Sequence, residues 1–212
     1  MNKKYEMFTL LMVVSFLFCA SCSTTTMGTV WADKNYQGGK IKKIFVIGVS
    51  KDPTIRRVFE DEFVDQLKSL GTDAVPSYSL IPSEEMIDRP TVESKMKEVG
   101  ADGVIVTTLV DKKTQKVQSS TYYADRGWYG HYSYRYSNPQ VVRHRTTSYE
   151  YEVFNLETNL YEIQNQKMIW SSLSDTQIPY SQPGSFSEGA VNKAIKELIQ
   201  NIVKRLSESQ LI

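Results

Sequence analysis

The alternation of apolar and polar residues predicts a strand followed by a helix near the start of the chain. Residues 44–49 form an almost continuous apolar run rich in β-branched side chains, which is typical of a strand covered on both faces. Asp52 then supplies a helix N-cap, Pro53 suits the first turn, and apolar residues recur at helical spacing up to a stop at Gly71. The pattern therefore predicts a buried strand that leads directly into an amphipathic helix.

The next segment predicts two further strands with a helix between them. Residues 74–78 suit a short edge strand, because Pro76 cannot donate to a ladder. A second helix ends at Gly100, and residues 103–110 form another apolar run. Strand, helix, strand, helix and strand at this spacing indicate three parallel strands joined by right-handed crossovers.

The second half of the chain predicts an antiparallel hairpin and a closing helix. Alternating residues from 149 to 163, a turn at residues 165–166 and a strand starting at residues 168–170 give the hairpin. Apolar residues from 191 to 206 recur on one face of a helix. We therefore expect one α/β domain over residues 41–212, of mixed α+β type, with the parallel unit extended by the hairpin.

Residues 1–21 have the layout of a signal peptide. A cationic start precedes an apolar run over residues 8–20, which as a helix would span only about 20 Å, less than the ~30 Å hydrocarbon core. The run ends in Cys19-Ala20-Ser21-Cys22, which resembles the lipobox of bacterial lipoproteins except that Cys19 stands where leucine is usual. The alternatives are an ordinary cleaved signal peptide and an uncleaved anchor.

The lipobox resemblance implies a location as well as a modification. It implies that Cys22 becomes the acylated first residue, with a palmitate-type chain, and that the acyl chains hold the protein in a membrane. Ser23, where aspartate would signal inner-membrane retention, implies the periplasmic face of the outer membrane. Residues 22–40 are then expected to be the lipidated cysteine and a tether, with Trp31 or Tyr36 packed against the domain.

Charge and cysteine content exclude several kinds of protein. The formal net charge is +1, and removal of the leader with Lys3, Lys4 and Glu6 leaves a neutral chain, so we expect no nucleic-acid partner. Both cysteines lie in the first 22 residues. The body of the protein therefore contains no disulfide framework, cysteine-based zinc site or cysteine nucleophile.

A Tyr/Arg-rich segment at residues 121–146 is the candidate for a binding surface. Tyrosine and arginine are enriched at binding hot spots, and a long loop on a rigid body is a suitable place for recognition. The competing interpretation is two more strands with stacked aromatic side chains. The candidate partner-binding residues are Tyr122, Tyr123, Arg126, Trp128, Tyr129, Tyr132, Tyr134, Arg135 and Tyr136.

Three other groups of residues give no clear indication of a binding or catalytic site. His131 and His144 lie thirteen residues apart, a spacing that matches no metal-ligand pattern, so we expect no metal site. Residues 48–52 lack the glycines of a phosphate loop and read as a capped turn. An acidic cluster on the first helix is expected to be solvated, and its members are Glu60, Asp61, Glu62 and Asp65.

The lipobox, the parallel unit, residues 159–163 with residues 167–171, and the closing helix together resemble a group of periplasmic lipoproteins. Their domain is similar to the amino-terminal domain of the Tol-system propeller protein, the curli-secretion lipoprotein and the lipoprotein activators of peptidoglycan synthases. The resemblance implies action through protein partners, and it transfers no functional residue because the group shares a fold more than a site.

These observations predict a non-enzymatic lipoprotein that binds an envelope protein, with no catalytic residue and no cofactor. A first alternative is a self-assembling subunit of an envelope or secretion complex, in which the same aromatic side chains pack against further copies of the chain. A second alternative is a periplasmic binder of a small molecule or glycan, for which the sequence contains no specific motif.

Overall fold

A computed structural model describes residues 24–82, 89–124 and 142–212, and within these ranges seven strands form one mixed sheet with three α-helices. The strands are β1 (Thr25–Ala32), β2 (Lys43–Val49), β3 (Asp73–Pro76), β4 (Gly103–Ala124), β5 (Val142–Glu162), β6 (Lys167–Gln182) and β7 (Ser185–Phe186). The helices are α1 (Pro53–Ser69), α2 (Arg89–Val99) and α3 (Glu188–Glu208), and one 3-10 turn covers Ser77–Ser79. The expected mixed α/β class is confirmed.

The predicted parallel unit is present. β2 pairs in parallel with both β3 and β4, and α1 and α2 connect the three strands in chain order. The Asp52 carboxylate caps α1 by accepting hydrogen bonds from the backbone N–H groups of Thr54 (2.8 Å) and Ile55 (3.2 Å). Gly71 and Gly100 follow the two helices at φ +88° and +64°, a left-handed conformation that glycine adopts without strain.

The antiparallel half extends the same sheet. Its strand order is β1-β6-β5-β4-β2-β3, which places β3 at one edge as predicted and β1 at the other. β5 and β6 form the predicted hairpin, and Gln166 in its turn has φ +52°. β4 and β5 are much longer than the predicted strands, because they pair with each other over almost their whole length.

The core has two layers, one on each face of the sheet. Alternate β2 residues point to opposite faces, as the strand period requires: Ile44 and Val46 pack with α1 and α3, whereas Phe45 and Ile47 pack with α2. Trp170 of β6 is fully buried in the larger layer. The expectation that the strand at residues 44–49 is covered on both faces is therefore confirmed.

The prediction of a tether over residues 22–40 is wrong for its central part. Residues 25–32 are the edge strand β1, which pairs antiparallel with β6. The polar threonines are compatible with a strand here, because an edge strand with one solvated face needs few apolar residues. Tyr36 does pack against the larger core layer, as expected, while Trp31 stays 45% exposed.

Candidate functional site

Most of the predicted partner-binding residues lie outside the described residues. Tyr122 and Tyr123 belong to β4, where their backbones pair with His144 and Arg143 of β5. The following residues lie outside the described ranges: Arg126, Trp128, Tyr129, Tyr132, Tyr134, Arg135 and Tyr136, as do Cys22 and the signal peptide. The two ends of the Tyr/Arg-rich segment are thus strand, which the competing interpretation anticipated, and the binding surface stays a prediction.

The long hairpin of β4 and β5 leaves the sheet. β2 pairs with β4 only as far as Thr108, and β6 pairs with β5 only from Tyr151 onward. Nine residue pairs, from Lys116 with Glu150 to Ala124 with Val142, therefore form a two-stranded ribbon. At about 3.3 Å per residue the ribbon is roughly 30 Å long. Within the described part of the chain no third strand pairs with either of its edges.

Ion pairs link the two strands at the base of the ribbon. Lys116 Nζ lies 2.6 Å from Glu150 Oε1, and Lys112 Nζ lies 3.5 Å from Glu152 Oε1. The hydrogen bond to Glu150 and its negative charge raise the pKa of Lys116. In these ion pairs β4 supplies the lysines and β5 supplies the glutamates.

Apolar and aromatic side chains are exposed on β4 before the ribbon and at the start of the ribbon. Leu109 precedes the shift of register between β4 and β5, Val110 lies within it, and Val110 is 59% exposed. Tyr149 is exposed and stacks on Tyr151, whose hydroxyl donates to Gln115 Oε1 at 2.8 Å. The start of the ribbon thus carries a hydrogen-bonded aromatic pair, and exposed apolar residues precede it on β4; both kinds of surface are found at protein interfaces.

A buried polar cluster occupies the carboxyl ends of β2 and β3. Arg56 Nε donates to Glu60 Oε1 at 3.0 Å, and Arg56 Nη2 donates to Ser77 Oγ at 2.8 Å. The Ser77 hydroxyl donates in turn to Glu60 Oε1 at 2.7 Å. The backbone N–H groups of Gly48 (3.0 Å) and Tyr78 (2.8 Å) complete the shell of the Glu60 carboxylate.

The expectation of a wholly solvated acidic cluster is wrong for Glu60, which is fully buried. Glu60 shares the buried face of α1, because it lies three, four and seven residues before buried Phe63, Val64 and Leu67. This spacing, with Arg56 one turn earlier, was the sequence signal for a buried ion pair. Asp61 behaves as expected, since it is exposed and accepts a hydrogen bond from the Tyr78 hydroxyl at 2.7 Å.

The cluster acts as a brace. Its hydrogen bonds join β2, α1 and the 3-10 turn, and they occupy both oxygens of Glu60. Ser77 is fully buried and donates to a carboxylate, so its hydroxyl does not face solvent. The N–H of Gly48 also belongs to the brace, and the hydrogen bonds accepted by Asp52 confirm the interpretation of residues 48–52 as a capped turn.

Two adjoining cavities lie at the opposite end of the sheet, beside the hairpin turn of β5 and β6. Their volumes are about 290 and 310 Å³, and both are lined by Tyr36, Gly38, Glu162 and Gln164. Burial, and then the charge of the Glu162 carboxylate and its hydrogen bond with the phenol, raise the pKa of Tyr36. Glu162 Oε2 also accepts from Asn165 Nδ2 at 2.8 Å. The Glu162 carboxylate is thus engaged by the side chains of Tyr36 and Asn165.

The described residues contain no group of three or more histidine, cysteine, aspartate or glutamate side chains that could hold a metal ion. None of the helices in residues 24–82, 89–124 and 142–212 is long and apolar enough to cross a membrane.

Comparison with known proteins gives likeness of fold only. No protein-family model matches the chain, and no curated protein matches it. Among solved structures, a PelC dodecamer from Paraburkholderia phytofirmans is 13% identical, with 89% of this chain and 99% of that chain covered and a TM-score of 0.45. Lipoprotein GNA1162 from Neisseria meningitidis is 14% identical, with 78% and 98% covered and a TM-score of 0.40.

A third similar structure is a putative neuraminyllactose-binding hemagglutinin homolog from Helicobacter pylori. It is 14% identical to this chain, with 85% of this chain and 91% of that chain covered and a TM-score of 0.36. At these identities and scores the three likenesses identify neither a family nor a function for the chain.

Proposed function

We propose that the chain is a non-enzymatic envelope lipoprotein that acts as a protein-binding or adaptor module. In this proposal, acyl chains on Cys22 hold the protein at the periplasmic face of the outer membrane, and the ribbon binds an envelope protein. The observation that carries the proposal is the ribbon itself, nine residue pairs that leave the sheet with no third strand beside them in the described structure.

An isolated two-stranded ribbon is marginally stable in water, because each strand satisfies only half of its backbone groups and no second layer covers its faces. Its open edges are templates for another strand, and the addition of a strand to an exposed edge is a common mode of peptide recognition. Exposed Tyr149 at the start of the ribbon offers apolar area to the same partner, and exposed Leu109 and Val110 lie on β4 six or seven residues before the ribbon. A bound protein would supply both the missing backbone partners and the missing cover.

The position of the Tyr/Arg-rich segment supports the same surface. Residues 125–141 connect the two strands of the ribbon along the chain, and Tyr122 and Tyr123 lie within the ribbon. Tyrosine, tryptophan and arginine are the residue types that contribute most at binding hot spots. The proposed contact surface thus extends from the base of the ribbon through Tyr122 and Tyr123.

A shortened ribbon tests the proposal. Replacement of residues 117–149 by Asn-Gly joins Lys116 to Glu150 through a two-residue turn that suits a hairpin. The sheet, both core layers and the brace are kept, so we expect unchanged folding and the loss of in-cell crosslinks to the partner from a photoreactive residue at exposed Lys113, which the shortened protein retains. A matched control replaces residues 164–166, the turn at the other end of β5, by Asn-Gly.

Retention of the crosslinks by the shortened protein would exclude the ribbon as the binding arm. Loss of the crosslinks in the control as well would show that binding does not distinguish the two ends of β5. Membrane association is a separate test: Cys22→Ala should release the protein from the membrane fraction.

Self-assembly is a second candidate, because the open edges of the ribbon offer the same unpaired backbone groups to a second copy of the chain. An edge of one copy that pairs with an edge of the next makes a head-to-tail contact of the kind that builds rings or filaments. Light scattering separates the candidates, because self-assembly requires oligomers of the purified chain that the shortened ribbon does not form.

A further inference from the structure

The chain immediately after the proposed lipid anchor is fastened to the body of the domain. The backbone N–H of Thr24 donates to Glu197 Oε2 at 2.6 Å, and its hydroxyl donates to the same oxygen at 2.7 Å. The carbonyl of Thr24 accepts from the backbone N–H of Gln177 at 2.8 Å, and β1 begins at the next residue. Thr24 is therefore a fixed point on α3 and β6.

Electrostatics strengthens this attachment. Burial alone would raise the pKa of Glu197, but the hydrogen bonds from Thr24 and the nearby charge of Lys193 outweigh it, so the pKa is lowered. Lys193 Nζ lies 3.6 Å from Glu197 Oε1. Glu197 is thus held as a carboxylate, the form that accepts both hydrogen bonds from Thr24.

The fixed point leaves almost no length for a tether. Cys22 precedes Thr24 by two residues, so its Cα lies within about 7 Å of the Cα of Thr24 even if the chain is fully extended. A lipid attached to Cys22 would therefore hold the domain against the bilayer.

The direction of the chain decides which surface meets the bilayer. β1 runs antiparallel to β6, so the chain before Thr24 leads toward the end of the molecule where β6 finishes and α3 begins. β6 continues five residues past Gln177, about 17 Å, and α3 begins nine residues before Glu197, about 14 Å. Both distances exceed the reach of Cys22, so acyl chains can enter a bilayer only beside the β1 edge.

The surface at this edge suits a lipid headgroup layer. Val30 and Trp31 are exposed on β1, and tryptophan is enriched at membrane interfaces. Lys193 and Lys204 lie four residues before and seven residues after Glu197, so they share its side of α3, and both are exposed. Lysines near a membrane surface attract anionic headgroups. We call these exposed residues of β1 and α3 the β1–α3 flank.

We propose that the β1–α3 flank lies directly on the surface of the bilayer, so that the sheet meets the membrane edge-on and without a tether. This inference rests on the proposed acylation of Cys22. It adds that the ribbon extends along the membrane surface rather than away from it. The ribbon begins near the level of Thr24, because Lys113 of β4, Val153 of β5 and Gln177 of β6 are in register, and Gln177 is hydrogen-bonded to Thr24.

Fluorophore quenching in vesicles tests the orientation. The acylated full-length protein contains no cysteine beyond Cys22, so one introduced cysteine gives a single free thiol. Lys204→Cys places a fluorophore on the flank, and Lys68→Cys places a matched fluorophore on exposed α1, which leads into the opposite edge strand β3. In vesicles of phosphatidylethanolamine and phosphatidylglycerol with headgroup-labelled quencher lipid, we expect quenching several-fold stronger at position 204.

A lengthened anchor supplies the internal control. Insertion of twelve Gly/Ser residues between Ser23 and Thr24 gives a flexible spacer of about 20 Å, which should reduce quenching at position 204 toward that at position 68. Equal quenching at the two positions in the parent protein, or no effect of the spacer, would overturn the edge-on orientation while the protein still floats with the vesicles. Failure to float would instead refute the acyl anchor, and this inference with it.

Discussion

Removal of one charge from the buried brace should destabilise the domain strongly. Arg56→Met keeps much of the side-chain volume but leaves the fully buried Glu60 carboxylate without its guanidinium partner, and it leaves Ser77 without a donor. Breaking a buried ion pair by removing one partner costs about 3–5 kcal/mol. In a domain of this size, this corresponds to a fall in melting temperature of roughly 6–20 °C.

The neighbouring arginine provides the matched control. Arg57 is exposed on the same helix, with its guanidinium carbon 5.7 Å from the centre of the Tyr78 ring. An exposed contact of this kind contributes about 0.5–1 kcal/mol, so Arg57→Met should have a small effect. Urea unfolding of the chain from residue 23 onward, followed by circular dichroism, measures both variants.

A double variant separates the charge from the hydrogen bonds. Arg56→Met with Glu60→Leu removes both charges, but it leaves the N–H groups of Gly48 and Tyr78 without their acceptor, at a cost of about 1–3 kcal/mol each. The double variant should therefore remain less stable than the parent protein. If Arg56→Met proved no more destabilising than Arg57→Met, the brace would not contribute as described.

Three further predictions concern local contacts. Gly48→Ala should cost about 1–3 kcal/mol, because its Cβ would lie 2.9 Å from the Phe59 ring. Gly189→Ala, where a Cβ meets nothing within 4 Å in α3, should stabilise by about 0.5–1 kcal/mol in the same unfolding assay. Glu197→Gln should lower stability at neutral pH by about 1–2 kcal/mol. Because the folded-state pKa of Glu197 is lowered, this difference should vanish as the pH falls from the unfolded value through the folded one; a difference that persists at low pH would contradict the Thr24 attachment.

The sequence predicted the elements that leave a clear local pattern of apolar residues, caps or glycines. The two-faced apolar run of β2, the cap at Asp52, the glycine stops and the stripe of α3 all occur where expected, because each reports a local physical requirement. The edge strand β1 was missed, because its pairing with β6 is a long-range event and its residues are mostly polar.

The candidate site was predictable only in part. Unusual composition predicted a binding surface at residues 121–146, but no local sequence pattern shows that β4 and β5 continue beyond their neighbouring strands. That extension depends on where β2 and β6 end. The burial of Glu60 was visible as a helical spacing, and it was missed because four acidic residues close together suggested a solvated face.

In-cell photocrosslinking from the ribbon is the most direct test of the proposed function. A photoreactive residue placed at Gln118 or Tyr149, both exposed, reports on the ribbon and its base, and one placed at exposed Lys68 of α1 reports on the opposite side of the sheet. We predict a discrete protein adduct from both ribbon positions and none from Lys68. Adducts from Lys68 alone, or no adduct from either ribbon position, would contradict the claim that the ribbon is the protein-binding arm.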